Sequence, residues 1–440
     1  MKHPTAAKPP TTGRIILTDS NTRRIRGIRI LDPWSDTDAL ADITVSREGL
    51  EAVEPSSEGP SGLWLMPGAT DMHVHLRVPG GEAAETLETG LRAAAAGGVT
   101  AVGMMPNTTP PLDTPDAVRE LLLQAASAGR VTVRPVPCAT VGRAGSVPVD
   151  LEGFAEMGIT AFSDDGDPVG SDEVLMEIFQ RISRFSGTLI EHPEVKALSS
   201  GGAVNQGEAS RLTGAGGIPE SAEYEDVQRC IEVLERSGTA ARLHLTHLSS
   251  PRSIELAAEA ASRGLSVTCD VTPHHLALNE TEIIERGAVA KMNPPLRCED
   301  SRKRLAALAA GGKVTAVASD HAPHPAERKE LPLQQAAFGI TGLETILPLT
   351  VDELVFREGM EPLEAVRLIT SNPARILGLP DGPLVPGVRR SMVLFDPDAL
   401  WHYSRSFSLS RNSPFLGKTL RGRILQVWAG SLIFREGIFV

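Results

Sequence analysis

The 440-residue chain has little cysteine, few aromatics and no excess of basic charge. Its four cysteines, Cys138, Cys230, Cys269 and Cys298, are far apart and form no Cys-x-x-Cys pair. Four isolated thiols exclude a disulfide framework and fit buried thiols in a reducing compartment. Aromatic residues make up 4% of the chain, so its core must rest on Ala, Val, Leu and Ile. No uninterrupted apolar run approaches the ~20 residues of a membrane span. Lys and Arg number 43 against 55 Asp and Glu, a net charge of −12. That balance excludes nucleic-acid and anionic-membrane partners, which need a basic footprint. An anionic substrate must therefore meet a local positive site. Residues 1–12 carry Lys2, Pro4, Lys8, Pro9 and Pro10 with no apolar signal core, and read as a flexible tail. The expected location is the cytoplasm.

What is present is alternation. From about residue 67 to 379, short β-type runs alternate with Ala/Leu-rich helical stretches. Strands are expected at 68–76, 99–105, 131–139, 160–163, 187–191, 242–247, 265–271 and 314–319. Helices are expected at 82–96, 114–128, 172–185, 222–237 and 254–263. Eight strand–helix units predict a (β/α)8 TIM-type barrel, with a doubly wound open sheet as the alternative. The flanking segments, 13–66 and 380–440, hold only short strands, at 14–17, 28–31, 43–45, 392–395, 424–428 and 431–434. Because chain ends tend to lie close together, these two segments predict one small β-sandwich domain.

Histidine and aspartate residues fall at the ends of the expected strands. His73 and His75 stand two apart in one strand, so both imidazoles face the same side. Asp164 and Asp165 end the fourth strand, His192 the fifth and His247 the sixth. Asp320 and His321 end the eighth, and His324 follows. Barrel active sites lie at the C-terminal ends of strands, and several His with carboxylates suit one or two zinc ions. Adjacent strand residues face opposite ways, so spacing alone leaves Asp164 and Asp165 as alternatives. His3, His244, His274, His275 and His402 read as structural or solvent histidines.

Longer motifs carry a resemblance. They are Asp71-Met72-His73-Val74-His75-Leu76-Arg77, Met105-Pro106-Asn107-Thr108, Phe162-Ser163-Asp164-Asp165-Gly166, Lys291-Met292-Asn293-Pro294-Pro295-Leu296-Arg297, Ser319-Asp320-His321-Ala322-Pro323-His324, Phe338-Gly339-Ile340-Thr341-Gly342-Leu343-Glu344-Thr345 and Asn412-Ser413-Pro414-Phe415. With these, nearly the whole chain resembles the dihydroorotases of the cyclic amidohydrolase superfamily, in the bacterial type that has aspartate in place of a metal-bridging lysine.

The resemblance implies that His73, His75 and Asp320 bind one zinc ion, that His192 and His247 bind a second, and that Asp165 bridges them. It implies substrate contacts from His75, Arg77, Asn107, Asn293, His324 and the backbone of Phe338 and Gly339. It also implies interconversion of N-carbamoyl-L-aspartate and L-dihydroorotate in pyrimidine biosynthesis, by a zinc-bound hydroxide with Asp320 as general acid and base. One or two ions, a homo-oligomer and an aspartate transcarbamoylase partner all stay open. Val78 and Pro193 depart from residues that many relatives carry. Two rival readings are an allantoinase or hydantoinase, which usually has a carboxylated lysine absent from strand four here, and a non-catalytic scaffold, which typically loses metal ligands. The segment 325–337 reads as a mobile lid or a solvated loop.

Overall fold

The computed structural model describes residues 16–18, 22–56, 58–380 and 382–440. The expected tail at 1–12, His3 and the start of the 14–17 run lie outside them. Eight parallel strands form the barrel: β1 Ala69–Val74, β2 Val99–Met104, β3 Thr132–Pro135, β4 Ala161–Phe162, β5 Thr188–Glu191, β6 Arg242–Leu245, β7 Val267–Val271 and β8 Ala316–Val317. They are shorter than the expected runs, β5 and β7 at their N-terminal ends only and the others at the rim end or at both. β1–β2–β3 and β4–β5–β6–β7–β8 form two continuous ladders. The Ser163 amide donates to the Pro137 carbonyl at 3.0 Å, and the His75 amide to the His321 carbonyl at 2.9 Å. These two bonds close the ring. Gly103 permits the β1–β2 approach, since a Cβ there would lie 2.4 Å from the Met72 carbonyl.

Local chemistry sets the helix starts. Thr86, Thr114 and Ser171 each accept a backbone N–H from three residues on, opening Leu87–Ala96, Pro115–Ala128 and Asp172–Ile182. The helix expected at 82–96 therefore begins only at Leu87. Ser221–Ser237 and Pro251–Ser262 follow β5 and β6. The barrel core is aliphatic, with Phe154, Phe162 and Phe179 as its buried aromatics. Cys138, Cys230 and Cys269 are buried free thiols. Cys298 is only half-buried, because it precedes the helix Glu299–Ala310 at its solvent-facing start.

Both ends of the chain enter one nine-stranded sheet. Trp64–Pro67 is its hinge, pairing in parallel with Thr22–Asp32 and antiparallel with Met392–His402. The sheet folds over its own core, which joins Ile28, Ile43 and Leu65 to Met392, Leu394 and Trp428. Two contacts clasp the two arms: Trp428 Nε1 donates to the Ser46 carbonyl at 2.9 Å, and the Leu432 amide to the Arg47 carbonyl at 2.7 Å. The result is the expected sandwich beside the barrel. Between Met392–His402 and Thr419–Trp428 the chain leaves this sheet and crosses to the barrel rim. There Glu344 accepts from Tyr403 Oη at 2.8 Å, and Glu85 accepts from the Leu409 amide at 3.0 Å.

Candidate metal centre and substrate pocket

At the C-terminal rim of the strands, Asp165 stands at the centre of four imidazoles. Its Oδ1 lies 3.2 Å from His73 Nε2, 3.6 Å from His247 Nε2 and 3.7 Å from His192 Nδ1. Its Oδ2 lies 3.6 Å from His75 Nε2 and accepts from Asn107 Nδ2 at 3.3 Å. Asp320 Oδ1 is 3.2 Å from His75 Nε2 and 3.7 Å from His73 Nε2. Two trios of close donor atoms result, His73–Asp165–His247 and His73–His75–Asp320. His192 joins at the edge, with its Nδ1 2.9 Å from His247 Nε2. The structure thus brings all six candidate ligands together, with Asp165 touching both halves.

The adjacent carboxylate has another task. Asp164 accepts from the amides of Ala139 (2.9 Å) and Thr140 (3.0 Å) and from the Thr140 hydroxyl, so it ties β4 to the loop after β3. Arg143 braces the same strand end, donating to the Asp164 carbonyl at 3.2 Å and the Asp165 carbonyl at 2.6 Å.

The donor set fits a cation. His73 Nε2, Asp165 Oδ1 and His247 Nδ1 are buried without a hydrogen-bond partner. Unmet buried polar atoms are costly, and those of His73 and Asp165 face one another. Burial lowers the His73 imidazole, but Asp165 and then Asp320 outweigh this and push it up to about 9. Against their own burial, Asp165 is held far below the usual carboxylate range by His73 first and then His247, and Asp320 by its hydrogen bond with His75 and then by the His73 charge. Two carboxylates among four imidazoles thus favour positive charge inside this ring, as protons or as a metal. Backbone strain marks the same place. Of the seven described non-glycine residues with positive φ, three are Arg77 (φ 60°), His247 (φ 42°) and Asp320 (φ 45°). Such strain clusters at functional sites.

A cavity of about 420 Å³ opens over the ring, lined by Arg77, Asn107, Asn293, His324, Phe338 and Gly339 among others. Arg77 is half-buried, with its Nε donating to the Pro323 carbonyl at 3.2 Å and its Nη2 3.4 Å from His324 Nε2. Among the described residues no carboxylate pairs with it. His324 Nε2 donates to the Phe338 carbonyl at 2.6 Å. Asn107 lines the cavity but is already engaged, since its Oδ1 meets His75 Nδ1 at 2.8 Å. Asn293 Nδ2 donates to Glu194 Oε1 at 3.4 Å, and Glu194 Oε2 is 3.4 Å from His192 Nε2. Val78 and Pro193 contribute no polar group, and Glu194 supplies the acid beside His192.

Several supporting residues escape a reading of motifs. Asp71, inside the first motif, accepts the amides of Ser319 (3.0 Å) and His73 (3.3 Å), joining β8 to β1. Asp270 on β7 accepts from His244 Nε2 at 2.8 Å and from the His247 amide at 2.7 Å. His275 donates to the Pro294 carbonyl at 3.0 Å and so holds the Asn293 loop. His321 turns away from the ring to Glu85, at 3.2 Å. The segment expected as a lid or solvated loop contains a helical turn, Ala326–Lys329, whose Lys329 is buried. It is anchored from inside, so the solvated reading does not hold at Lys329.

Comparison with other proteins agrees in direction. The Dihydro-orotase-like family model matches residues 62–253. The dihydroorotase of Anaplasma phagocytophilum (strain HZ) is 37% identical, over 92% of this chain and 94% of its own. That of Elusimicrobium minutum (strain Pei191) is 38% identical, over 92% and 96%. Among solved structures, L-hydantoinase (dihydropyrimidinase) from Arthrobacter aurescens superimposes with a TM-score of 0.81 at 26% identity, over 95% of this chain and 97% of its own. Dihydropyrimidinase from Brevibacillus agri NCHU1002 gives 0.79 at 21% identity, over 95% and 96%, which speaks to the fold alone.

Proposed function

The chain belongs to the dihydroorotase family, and from that premise we propose that it interconverts N-carbamoyl-L-aspartate and L-dihydroorotate with zinc held by the His/Asp ring. His73, His75 and Asp320 would hold one ion, and His192 and His247 a second, with Asp165 between them. Zinc bound there supplies Lewis acidity and lowers the pKa of water to about 7. The rest falls to the chain. Arg77 binds the ring carboxylate, since its planar fork can grip two oxygens at once. His324 stays neutral, held down at about 3 chiefly by burial and then by Arg77. It aligns the Phe338 carbonyl beside the ring. Asp320, held at the cavity wall by His75, takes a proton from the attacking water and returns it to the departing ring nitrogen.

The observation that carries this reading is the half-buried Arg77 guanidinium, without a carboxylate partner among the described residues, at the mouth of the ring of six candidate ligands. Hydantoin and dihydrouracil carry no ring carboxylate to match it, and the bridging lysine usual in hydantoinases is absent from strand four. The test is turnover of dihydroorotate by protein of measured zinc content, alongside Asp320→Asn. Compared at equal bound zinc, that variant should lose at least ~10²-fold in kcat. Full turnover by metal-free protein, or near-normal kcat in the variant, would refute the assignment.

A further inference from the structure

Two buried lysines hold the backbone beside the pocket with no carboxylate to balance them. Lys329 Nζ donates to the carbonyls of Lys291 (3.0 Å), Ala337 (2.9 Å) and Gly339 (2.9 Å). Lys291 Nζ donates to those of Leu333 (2.8 Å), Gln334 (3.3 Å) and Ala336 (2.7 Å), and sits 4.1 Å from the centre of the Phe338 ring. Among the described residues, no carboxylate lies within ion-pairing distance of either nitrogen. Burial lowers Lys291 to about 8 and, with the Lys291 charge adding to it, Lys329 to about 7. Yet each nitrogen faces three acceptors, which equals the three protons of an ammonium; a neutral amine would leave one acceptor unmet.

Burying two uncompensated cations is costly, and what they hold is specific. The clasped segment ends at Phe338 and Gly339, both in the cavity wall. Gly339 is fixed from several sides. Its amide donates to the Lys291 carbonyl at 3.0 Å, and its carbonyl accepts from Asn412 Nδ2 at 3.0 Å as well as from Lys329. Its φ of +120° and the 2.5 Å that a Cβ would leave to Ala322 Cβ show how closely it is packed against the His324 loop. The lysine charge also reaches the pocket, where it helps to keep His324 neutral.

We infer that Lys329 and Lys291 are positioning residues, an unpaired ammonium clasp that sets Phe338 and Gly339 against the substrate and adds to Arg77 the positive potential an anionic substrate needs. For its substrate this rests on the dihydroorotase reading; for the clasp it does not.

Lys329→Met and Lys291→Met keep the unbranched apolar stem and remove the charge. In the zinc-loaded enzyme each should raise KM for dihydroorotate by about tenfold or more while kcat falls less than about threefold, the split expected when an interaction serving binding is lost. In the same preparations, hydrogen–deuterium exchange over 331–340 should accelerate, while β1 and β5 stay as they were. Unchanged exchange in both variants overturns the clasp. Faster exchange with unchanged KM overturns its role toward substrate. If Lys329→Met fails to fold, Lys291→Met is decisive in both assays. A wild-type enzyme inert toward dihydroorotate would count against the proposed function, and the exchange comparison would still decide the clasp.

Discussion

His73 and Thr246 meet at 2.9 Å, Nδ1 to Oγ1, beneath the ligand ring. Thr246 Oγ1 spends its only proton on Asp270 Oδ2, at 2.9 Å. Its oxygen must therefore accept from His73, which places a proton on Nδ1 and aims the Nε2 lone pair at Asp165. Asn107 does the same for His75: its NH2 donates to Asp165, so its Oδ1 accepts from His75 Nδ1. Two imidazoles are thus set, by groups outside the ring, in the tautomer that would leave Nε2 for a metal.

Thr246→Val keeps the shape and removes this acceptor. Zinc affinity should fall by about 10- to 100-fold, as for other outer-sphere partners of metal-bound histidine. Competition with a chelator of known affinity measures it. Unaltered affinity would mean that the hydroxyl does not set the tautomer.

Asp164 and Asp165 separate cleanly by task. Asp164→Ala removes three hydrogen bonds to a buried carboxylate, each worth about 1.5–3 kcal/mol, and should lower Tm sharply. Asp165→Ala should instead lower bound zinc, with the smaller loss of Tm in the metal-free protein. Zinc analysis beside calorimetry checks both, and the reverse order would exchange the roles.

These two carboxylates also show how far the sequence could be read. Strand–helix alternation and the placement of His and Asp at strand ends are local patterns, so the barrel and its rim are legible. The parity of strand residues is lost once a strand ends. β4 stops at Phe162, so nothing in spacing orients residues 164 and 165. Arg77 likewise follows β1 with φ 60°, and its direction comes from a turn rather than from alternation. Asp270 and Thr246 carry no motif, because their importance arises only from neighbours on other strands. The charged run at 327–330 suggests solvent, yet Lys329 turns inward to three carbonyls that the sequence does not reveal.

Glu353 predicts a pH effect on stability. Burial, with Asp352 and Glu358 adding and Arg357 opposing, pushes its carboxyl up to about 7 from an ordinary 4.5. Between these values the folded state holds the proton more tightly than the unfolded state, so stability falls as pH rises across that window. Glu353→Gln should remove this fall. Comparing Tm for both proteins at about pH 5 and pH 8, the variant should gain on the wild type at the higher pH. Parallel curves would contradict the shift.

Arg77 supplies the sharpest functional discrimination. Dihydrouracil has the dihydroorotate ring without its carboxylate, so in that complex the half-buried guanidinium would stay without a carboxylate partner. Each lost charge-assisted hydrogen bond costs about 1.5–3 kcal/mol, and two such bonds predict a kcat/KM for dihydrouracil lower by two orders of magnitude or more. Arg77→Lys keeps the charge but not the fork. It should weaken dihydroorotate turnover while scarcely changing that of dihydrouracil, which narrows the ratio between them. The measurement is kcat/KM for dihydroorotate, dihydrouracil, hydantoin and allantoin on one zinc-loaded preparation. Comparable values for dihydrouracil or hydantoin would move the assignment to a hydantoinase, and preference for allantoin to an allantoinase. A wild-type preference for dihydroorotate that collapses in Arg77→Lys would tie the specificity to this one guanidinium.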